Sequence, residues 1–533
     1  MAQPNPTEHC QKKIPKILPI KTLAKNLQER ISLLLFCTHF LLGISFANDS
    51  PPPPPNLVFI IDDQHSSDML GASGNPDIQT PNLDRLAAES VLFKHCLSNS
   101  PVCTPYRGIL FTGQHPLRSG AIQNDLQILP GHGSYFAEVL RDSGYHTGYY
   151  GKWHLYGGDR ERGIPPGPYR YGFDQEFLVN NCTLLFDAAH AFYWSQDGKT
   201  KQLYGDWEPY AQTRQAMEFI DQHGDKPFAL FIAYHPPHNW GGPQEGYAAP
   251  PDLLALYDPA KLTLRPTVDD NPRNRRMYQG HMAMISSIDK AVGMLTKKLQ
   301  ERGLSKNTIV IFTADHGDML RSYGWPGNKG RAEHTSARVP LIIRWPEHLK
   351  PATSEQLIGT LDLMPTVLGL LNLTVPSSCQ GKNLSAAIQA GRDDGTDALP
   401  LFYLPLNWRG IYTHRYTYSF ALHDPDEAHV PGGKKTFNVL YDRQVDPSET
   451  RNLFNDPTAA PIKEQLHRQT LLMMTKFQDG GLRSKEIIRQ VIMEQDLPAL
   501  LQPLATRPDG WNARLKGRPV DLLPTPNSPR FTP

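Results

Sequence analysis

Short apolar runs alternate along this chain with helical patterns, and several of the runs stop at titratable residues. Leu57–Ile61 is apolar throughout and ends at Asp62 and Asp63. TPNLDRLAAESVLF then reads as a helix, with Thr80 suited to the N-cap, Pro81 to the first turn, and Leu83, Leu86 and Ala87 on one face. GSYFAEVLRDSGYHTGYYGKWHL predicts a helix stopped near Gly144, then a short strand through Tyr149 and Tyr150 that delivers Lys152 and His154. Phe228–Ala233 predicts a strand ending at His235 and His238, and Ile309–Phe312 another ending at Asp315 and His316.

This alternation predicts an α/β fold with a large, mostly parallel sheet flanked by helices. In such sheets ligands bind beyond the carboxyl ends of the strands. Taken singly, each of these strand ends reads as an ordinary polar turn. Four runs that carry chemistry at the same end point instead to one site.

The ends of the chain read differently. Lys12, Lys13, Lys16, Lys21, Lys25 and Arg30 precede the apolar run ISLLLFCTHFLLGISFA, and small residues surround Ala47. That pattern predicts a signal peptide over residues 1–47, cleavage near Ala47 and export, secreted or periplasmic, without stable membrane insertion. Residues 48–55 form a proline-rich linker, and 56–399 the catalytic α/β domain. A C-terminal α+β subdomain follows over 400–490, with strand-like runs LFYLPL, RGIYTHRYTYSFAL and FNVLYDR and a helix in KEQLHRQTLLMMTKFQDG. The remainder, 491–533, reads as a proline-rich tail.

Charge and cysteine content narrow the choices. With 54 basic and 53 acidic residues the net charge is +1, which shows no nucleic-acid or membrane-surface footprint. A small anionic substrate needs only a few local cations. Beyond the export signal the cysteines are Cys96, Cys103, Cys182 and Cys379, too few for a disulfide framework and without a CxxC zinc signature.

The residues at the strand ends suggest a chemistry. Asp62, Asp63 and Asp315 would repel one another unless a divalent cation lay between them, and oxygen donors suit Ca²⁺ or Mg²⁺. His316 adds a softer ligand. Lys152, Lys329 and Arg107 offer positive charge for a tetrahedral oxyanion, and His154 and His238 can move protons near neutrality. Cys103 precedes Thr104-Pro105, a helix start that aims amides at an anion. Together these make an anion pocket with a nucleophile, suited to a sulfate or phosphate ester. A plain thiolate would be oxidised in an exported setting.

CTPYR, Cys103 to Arg107, resembles the Cys-x-Pro-x-Arg signature of the type I sulfatases of the alkaline phosphatase superfamily, in which the cysteine becomes formylglycine. GILFTG, GYHTGYYGKWH and the late VLYDRQVDPSETRNLFNDP extend the resemblance from Asn56 to about Asp456. It implies sulfate-ester hydrolysis, commonly on a sulfated carbohydrate, through a formylglycine gem-diol and a sulfo-enzyme intermediate, after conversion by a maturation enzyme. It implies calcium held by Asp62, Asp63, Asp315, His316 and residue 103. Arg107, Lys152, His154, His238 and Lys329 are implied as catalytic residues, with His235 the other candidate proton donor, and the small C-terminal sheet is implied to be antiparallel. Three positions depart from the family pattern: Tyr106 is bulkier than usual, His316 stands where asparagine is common, and Glu333-His334 replace Tyr-Glu. Two alternatives remain: a phosphonate monoester hydrolase or phosphodiesterase of the same superfamily, and a non-catalytic binding protein with Cys103 unconverted. Trp194, Tyr204, Trp207, Trp240 and Trp408 are either a sugar-stacking mouth or core.

Overall fold

Strand β1, Asn56–Asp62, lies at the centre of an eleven-stranded sheet because Leu57–Ile61 are apolar on both faces and wholly buried. The computed structural model describes residues 53–481, apart from 127, 129–132, 158–159, 174, 184, 240–245 and 423–435. The signal-peptide segment, most of the linker and the 491–533 tail lie outside the described residues.

In chain order the elements that matter are β1, α1 (Pro81–Ala88), β2 (Val91–Leu97), α2 (Cys103–Thr112), α3 (Phe136–Asp142), β3 (His146–Lys152), β4 (Glu176–Asn180), β5 (Phe192–Trp194), β6 (Lys201–Leu203) and α4 (Glu208–His223). They continue with β7 (Phe228–Ala233), α5 (Pro272–Glu301), β8 (Thr308–Ala314), β9 (Arg338–Val339), β10 (Leu341–Arg344), β11 (Ala352–Gly359) and α6 (Thr360–Leu370). The large sheet runs β11-β2-β10-β8-β1-β7-β3-β4-β5-β6, with β9 beside β2. Its centre, β8-β1-β7-β3-β4, is parallel throughout, with Phe59 opposite Phe231 and Ile311. Antiparallel strands occur toward the two edges.

Both faces of the centre are covered. One buries Phe59, Ile61, Tyr149, Phe231 and Ile311, with Phe59 stacked on Phe231 at 5.3 Å. The other buries Val58, Ile60, Tyr150, Ile232 and Phe312 against α1, α4 and α5. Burial of that many aliphatic and aromatic side chains, at roughly 1.5–3 kcal/mol each, makes the centre the rigid part of the molecule.

A second sheet of four antiparallel strands follows: β12 (Ala398–Tyr403), β13 (Trp408–Thr413), β14 (Tyr416–Ala421) and β15 (Val439–Asp442), succeeded by α7 (Ala460–Lys476). The long run RGIYTHRYTYSFAL is a hairpin that turns at His414-Arg415. The described residues from Pro54 on form one compact unit containing both sheets. Among the described residues no helix is long and apolar enough to cross a membrane.

Candidate active site

The parallel centre brings the four strand ends together. β1 ends at Asp62 and leads into Asp63, β8 into Asp315 and His316, β7 into His235 and His238, and β3 ends at Lys152 before His154. Close strand contact sets Lys152: Gly151 has φ +101°, and a Cβ there would lie 2.1 Å from the Ala233 carbonyl, so no other residue fits. Gln64 and His154 also take left-handed backbone, φ 72° and 55°, as the chain turns across the sheet edge.

Cys103 is the first residue of α2 and is buried. Its Sγ lies 3.1 Å from Lys329 Nζ, 3.2 Å from His316 Nε2 and 3.8 Å from Asp63 Oδ1. Burial alone would raise the thiol, but Lys152, Lys329 and His316 outweigh it and hold it well below its usual range. The three other cysteines in the described region are unpaired, and Cys96 is pushed up by burial.

Arg107 stands one turn further along α2, fully buried. Its guanidinium donates to Asp315 Oδ2 at 3.2 Å, to the Lys152 carbonyl at 2.8 Å and to the Tyr149 hydroxyl at 3.3 Å. The arginine thereby ties the end of β3 to the end of β8. Lys152 Nζ pairs with Asp63 Oδ2. Burial disfavours the ammonium, yet Asp63 and Cys103 raise it above its ordinary value, so it stays charged.

His316 donates from Nδ1 to the Gly317 carbonyl at 3.0 Å, because a carbonyl can only accept. Its Nε2 then faces Asp63 Oδ1 and Asp315 Oδ1, both at 3.4 Å. Asp63, Cys103, Asp315 and His316 each place one ligand atom so that all four lie within 4.8 Å of one another. Burial and the neighbouring Asp63 push Asp315 up to about 7, the sign of two buried carboxylates sharing too little positive charge. The donor set therefore fits a divalent cation.

Asp62 stands apart from those four. Its Oδ2 lies 2.6 Å from His65 Nδ1, whose Nε2 donates to the Met69 carbonyl at 2.7 Å. Among the described residues its buried Oδ1 has no hydrogen-bond partner, which leaves one oxygen for an ion.

The two histidines after β7 part company. His235 is enclosed: Nδ1 lies 2.5 Å from Glu208 Oε1 and Nε2 accepts from the Thr183 amide at 3.4 Å. His238 is half-buried; Nδ1 donates to the Asn239 carbonyl at 2.6 Å and Nε2 faces Lys329 Nζ at 2.8 Å. Burial and then Lys329 lower its pKa, so it is neutral beside the lysine. The geometry brings His238, not His235, to Cys103.

His154 meets a residue that the sequence does not advertise. Nε2 lies 3.1 Å from Asp125 Oδ1, and Arg160 grips both oxygens of that carboxylate at 2.7 and 2.9 Å. Despite burial, Cys182, Asp125 and Cys103 raise His154 to about 10. A second hub is Asp318, wholly buried, which accepts from Gln64 Nε2 at 2.8 Å and from the Tyr247 hydroxyl at 2.6 Å. Gln64 also donates to Asn239, beside His238, and Tyr247 accepts from Asn328, beside Lys329. The C-terminal sheet contributes Trp408, whose Nε1 donates to the Gly330 carbonyl at 2.9 Å, next to Lys329.

That contact settles part of the aromatic question. Trp408 and Trp207 are core residues; Trp194 donates to the Glu161 carbonyl, Tyr204 packs on Tyr193, and Trp240 lies outside the described residues. The structure does not gather the described four into one mouth.

The sulfatase family model matches residues 55–373, and a model described as N-sulphoglucosamine sulphohydrolase, C-terminal, matches 323–476. An ulvan-active sulfatase of Formosa agariphila is 33% identical over 426 residues, 77% of this chain and 79% of its own. An endo-4-O-sulfatase of Bacteroides thetaiotaomicron is 27% identical over 489 residues, covering 81% and 94%. A yidJ sulfatase candidate solved from Bacteroides fragilis superposes with a TM-score of 0.73 at 28% identity, over 82% of this chain and 99% of that one.

Proposed function

Because this chain belongs to the sulfatase family and is a sulfuric ester hydrolase, we propose that it removes sulfate from a carbohydrate, using Cys103 after conversion to formylglycine. The observation that carries the reading is Cys103 at the start of α2, set between Lys329, His316, Asp63 and the Lys152 pair. Three cationic or imidazole groups around one buried side chain have a use if an anion is turned over there. The carbohydrate assignment rests on the activities named for the relatives.

Conversion would supply an aldehyde hydrate, with one hydroxyl to attack sulfur and a second to release sulfate. Asp63, Asp315 and His316, with residue 103 and the free oxygen of Asp62, would hold calcium or magnesium, whose charge would offset that of the sulfate oxygens.

The chain's own groups do the rest. Lys152, Lys329 and Arg107 form a preorganised positive wall in a buried site, where such charge acts more strongly than in water. His238 and Lys329 share a 2.8 Å contact at the open side of the pocket and deliver a proton to the departing alcohol oxygen. Conversion of Cys103 removes one of the thiolates that raise His154, and from its neutral form His154 takes a proton from the residue-103 hydroxyl through Nδ1, since Nε2 faces Asp125. The basic stretch followed by an apolar run at the N-terminus supports export of the chain, to the periplasm or beyond.

The test joins mass spectrometry to kinetics. Trypsin releases His95–Arg107, with Cys96 and Cys103 in one peptide. Protein made with a formylglycine-generating enzyme should carry an aldehyde at residue 103 and a thiol at residue 96. That preparation should hydrolyse aryl sulfate and sulfated oligosaccharides. Faster turnover of phosphate or phosphonate esters would reassign the substrate, and activity in fully unconverted protein would remove the formylglycine.

A further inference from the structure

At the amino edge of the sheet, three residues outside the machinery above converge. His146 opens β3, Glu176 opens β4 and His223 closes α4. Gly148 pairs with Glu176 across the two strands, so His146, Gly148 and Glu176 share the face that α4 covers. Gly148 is what lets the helix come close: a Cβ there would lie 2.6 Å from the Phe219 ring. Phe219 packs on both imidazoles, with centroids 5.6 Å from His146 and 4.9 Å from His223. The position of His223 beside β3 is therefore fixed by core packing.

The two imidazoles lie face to face, centroids 3.8 Å apart and 19° from parallel. His223 Nε2 is 3.8 Å from Glu176 Oε2, and one ligand atom from each of the three residues lies within 4.8 Å of the others. Neither imidazole makes a side-chain hydrogen bond to any described residue, although both are half-buried. Glu218 and Lys226 lie within electrostatic reach and oppose one another in charge.

We propose that His146, Glu176 and His223 form a second metal site, for a borderline divalent cation of the zinc class. Two imidazoles and one carboxylate are a nitrogen-rich set that such ions favour, unlike the oxygen-rich cluster at the carboxyl edge. Rotation of the stacked rings about χ2 lets both nitrogens approach one ion at about 2.0–2.1 Å, and solvent completes the tetrahedron. Six residue steps along β3 separate His146 from Lys152, about 20 Å at ~3.3 Å each, so the ion acts on structure. It ties the last turn of α4 to the first residues of β3 and β4.

The test titrates the calcium-loaded chain with Zn²⁺ by calorimetry and by thermal unfolding. Wild type should bind one equivalent and gain in Tm, whereas His223→Gln and Glu176→Gln should bind weakly and gain nothing, with sulfatase turnover unchanged in both. Unchanged turnover also shows that the variants are folded. Co²⁺ as a probe locates the ion: at the proposed site it gives visible d–d bands that His223→Gln abolishes, whereas at the active site the bands persist in that variant. No stoichiometric zinc in wild type, zinc binding retained in a His146→Gln/His223→Gln double variant, or cobalt bands unchanged in His223→Gln would each overturn the proposal.

Discussion

Glu449 offers a stability prediction with a pH signature. It is wholly buried at φ 54° in the late VDPSET segment and joins the small sheet to the turn that follows Lys329. Oε2 accepts from the His334 amide at 2.8 Å and lies 2.9 Å from His334 Nδ1. Oε1 accepts from the Thr417 hydroxyl at 2.5 Å, with Arg443 at 3.9 Å. Burial pushes this carboxyl up, but His334, Arg443 and Thr417 together hold it at about 2, against an ordinary 4.5.

A lowered carboxyl stabilises the fold above its unfolded value, and that stability is lost as pH falls through 4.5 toward 2. At 1.36 kcal/mol per unit the contribution is about 3 kcal/mol at pH 7 and about half of that at pH 3. Glu449→Gln keeps the shape and removes the charge. Urea unfolding of wild type and variant at pH 7, 5 and 3, read at matched m-values, gives the difference directly. The gap should be widest at pH 7 and should narrow by roughly half at pH 3. An equal gap at all three pH values, or one below about 1 kcal/mol at pH 7, would refute the electrostatic account of this residue.

The neighbouring histidines give a kinetic contrast. His238→Asn should lower kcat on an unactivated sugar sulfate by about 10²–10⁴ but far less on 4-nitrophenyl sulfate, whose leaving group needs no proton; equal losses would take His238 out of leaving-group protonation. His235→Asn should instead lower Tm, because its Glu208 and Thr183 contacts are buried, and should leave the ratio of the two substrates unchanged. Arg107→Lys keeps the charge but loses the fork that reaches Asp315 and the Lys152 carbonyl together, costing about 3 kcal/mol for two charge-assisted bonds; a loss below about 1 kcal/mol would show that a single point charge suffices. Stripping divalent ions with a chelator should lower both turnover and Tm, and calcium should restore both if the four-donor cluster binds it.

Much of this site was legible because its framework is local. The runs leading to Asp62, Asp315 and His235 are largely apolar and wholly buried, and only a sheet covered on both faces buries such runs. The sheet then determines that their ends meet. Cys103 to Arg107 was legible for the same reason, since one helical turn carries both the proposed nucleophile position and the arginine beside it. Sequence could not separate Asp62 from Asp63, because which oxygen turns inward depends on His65 and on the turn at Gln64.

The positioning groups were hidden for a physical reason. Asp125 reaches His154 across 29 residues and Asp318 reaches Gln64 across 254, and both partners lie on irregular loops where no period constrains them. Yet their arrangement follows from the cost of burying a carboxylate. Asp318 is sealed from solvent, so each of its acceptor positions must be filled, and it draws on Gln64, Tyr247 and the Leu320 amide. Two of those donors also bond Asn239 and Asn328, the neighbours of His238 and Lys329. The need to satisfy one buried charge therefore fixes the spacing of the pair that faces Cys103. A site whose candidate catalytic residues are readable from strand ends owes the distances between them to residues that sequence pattern leaves silent.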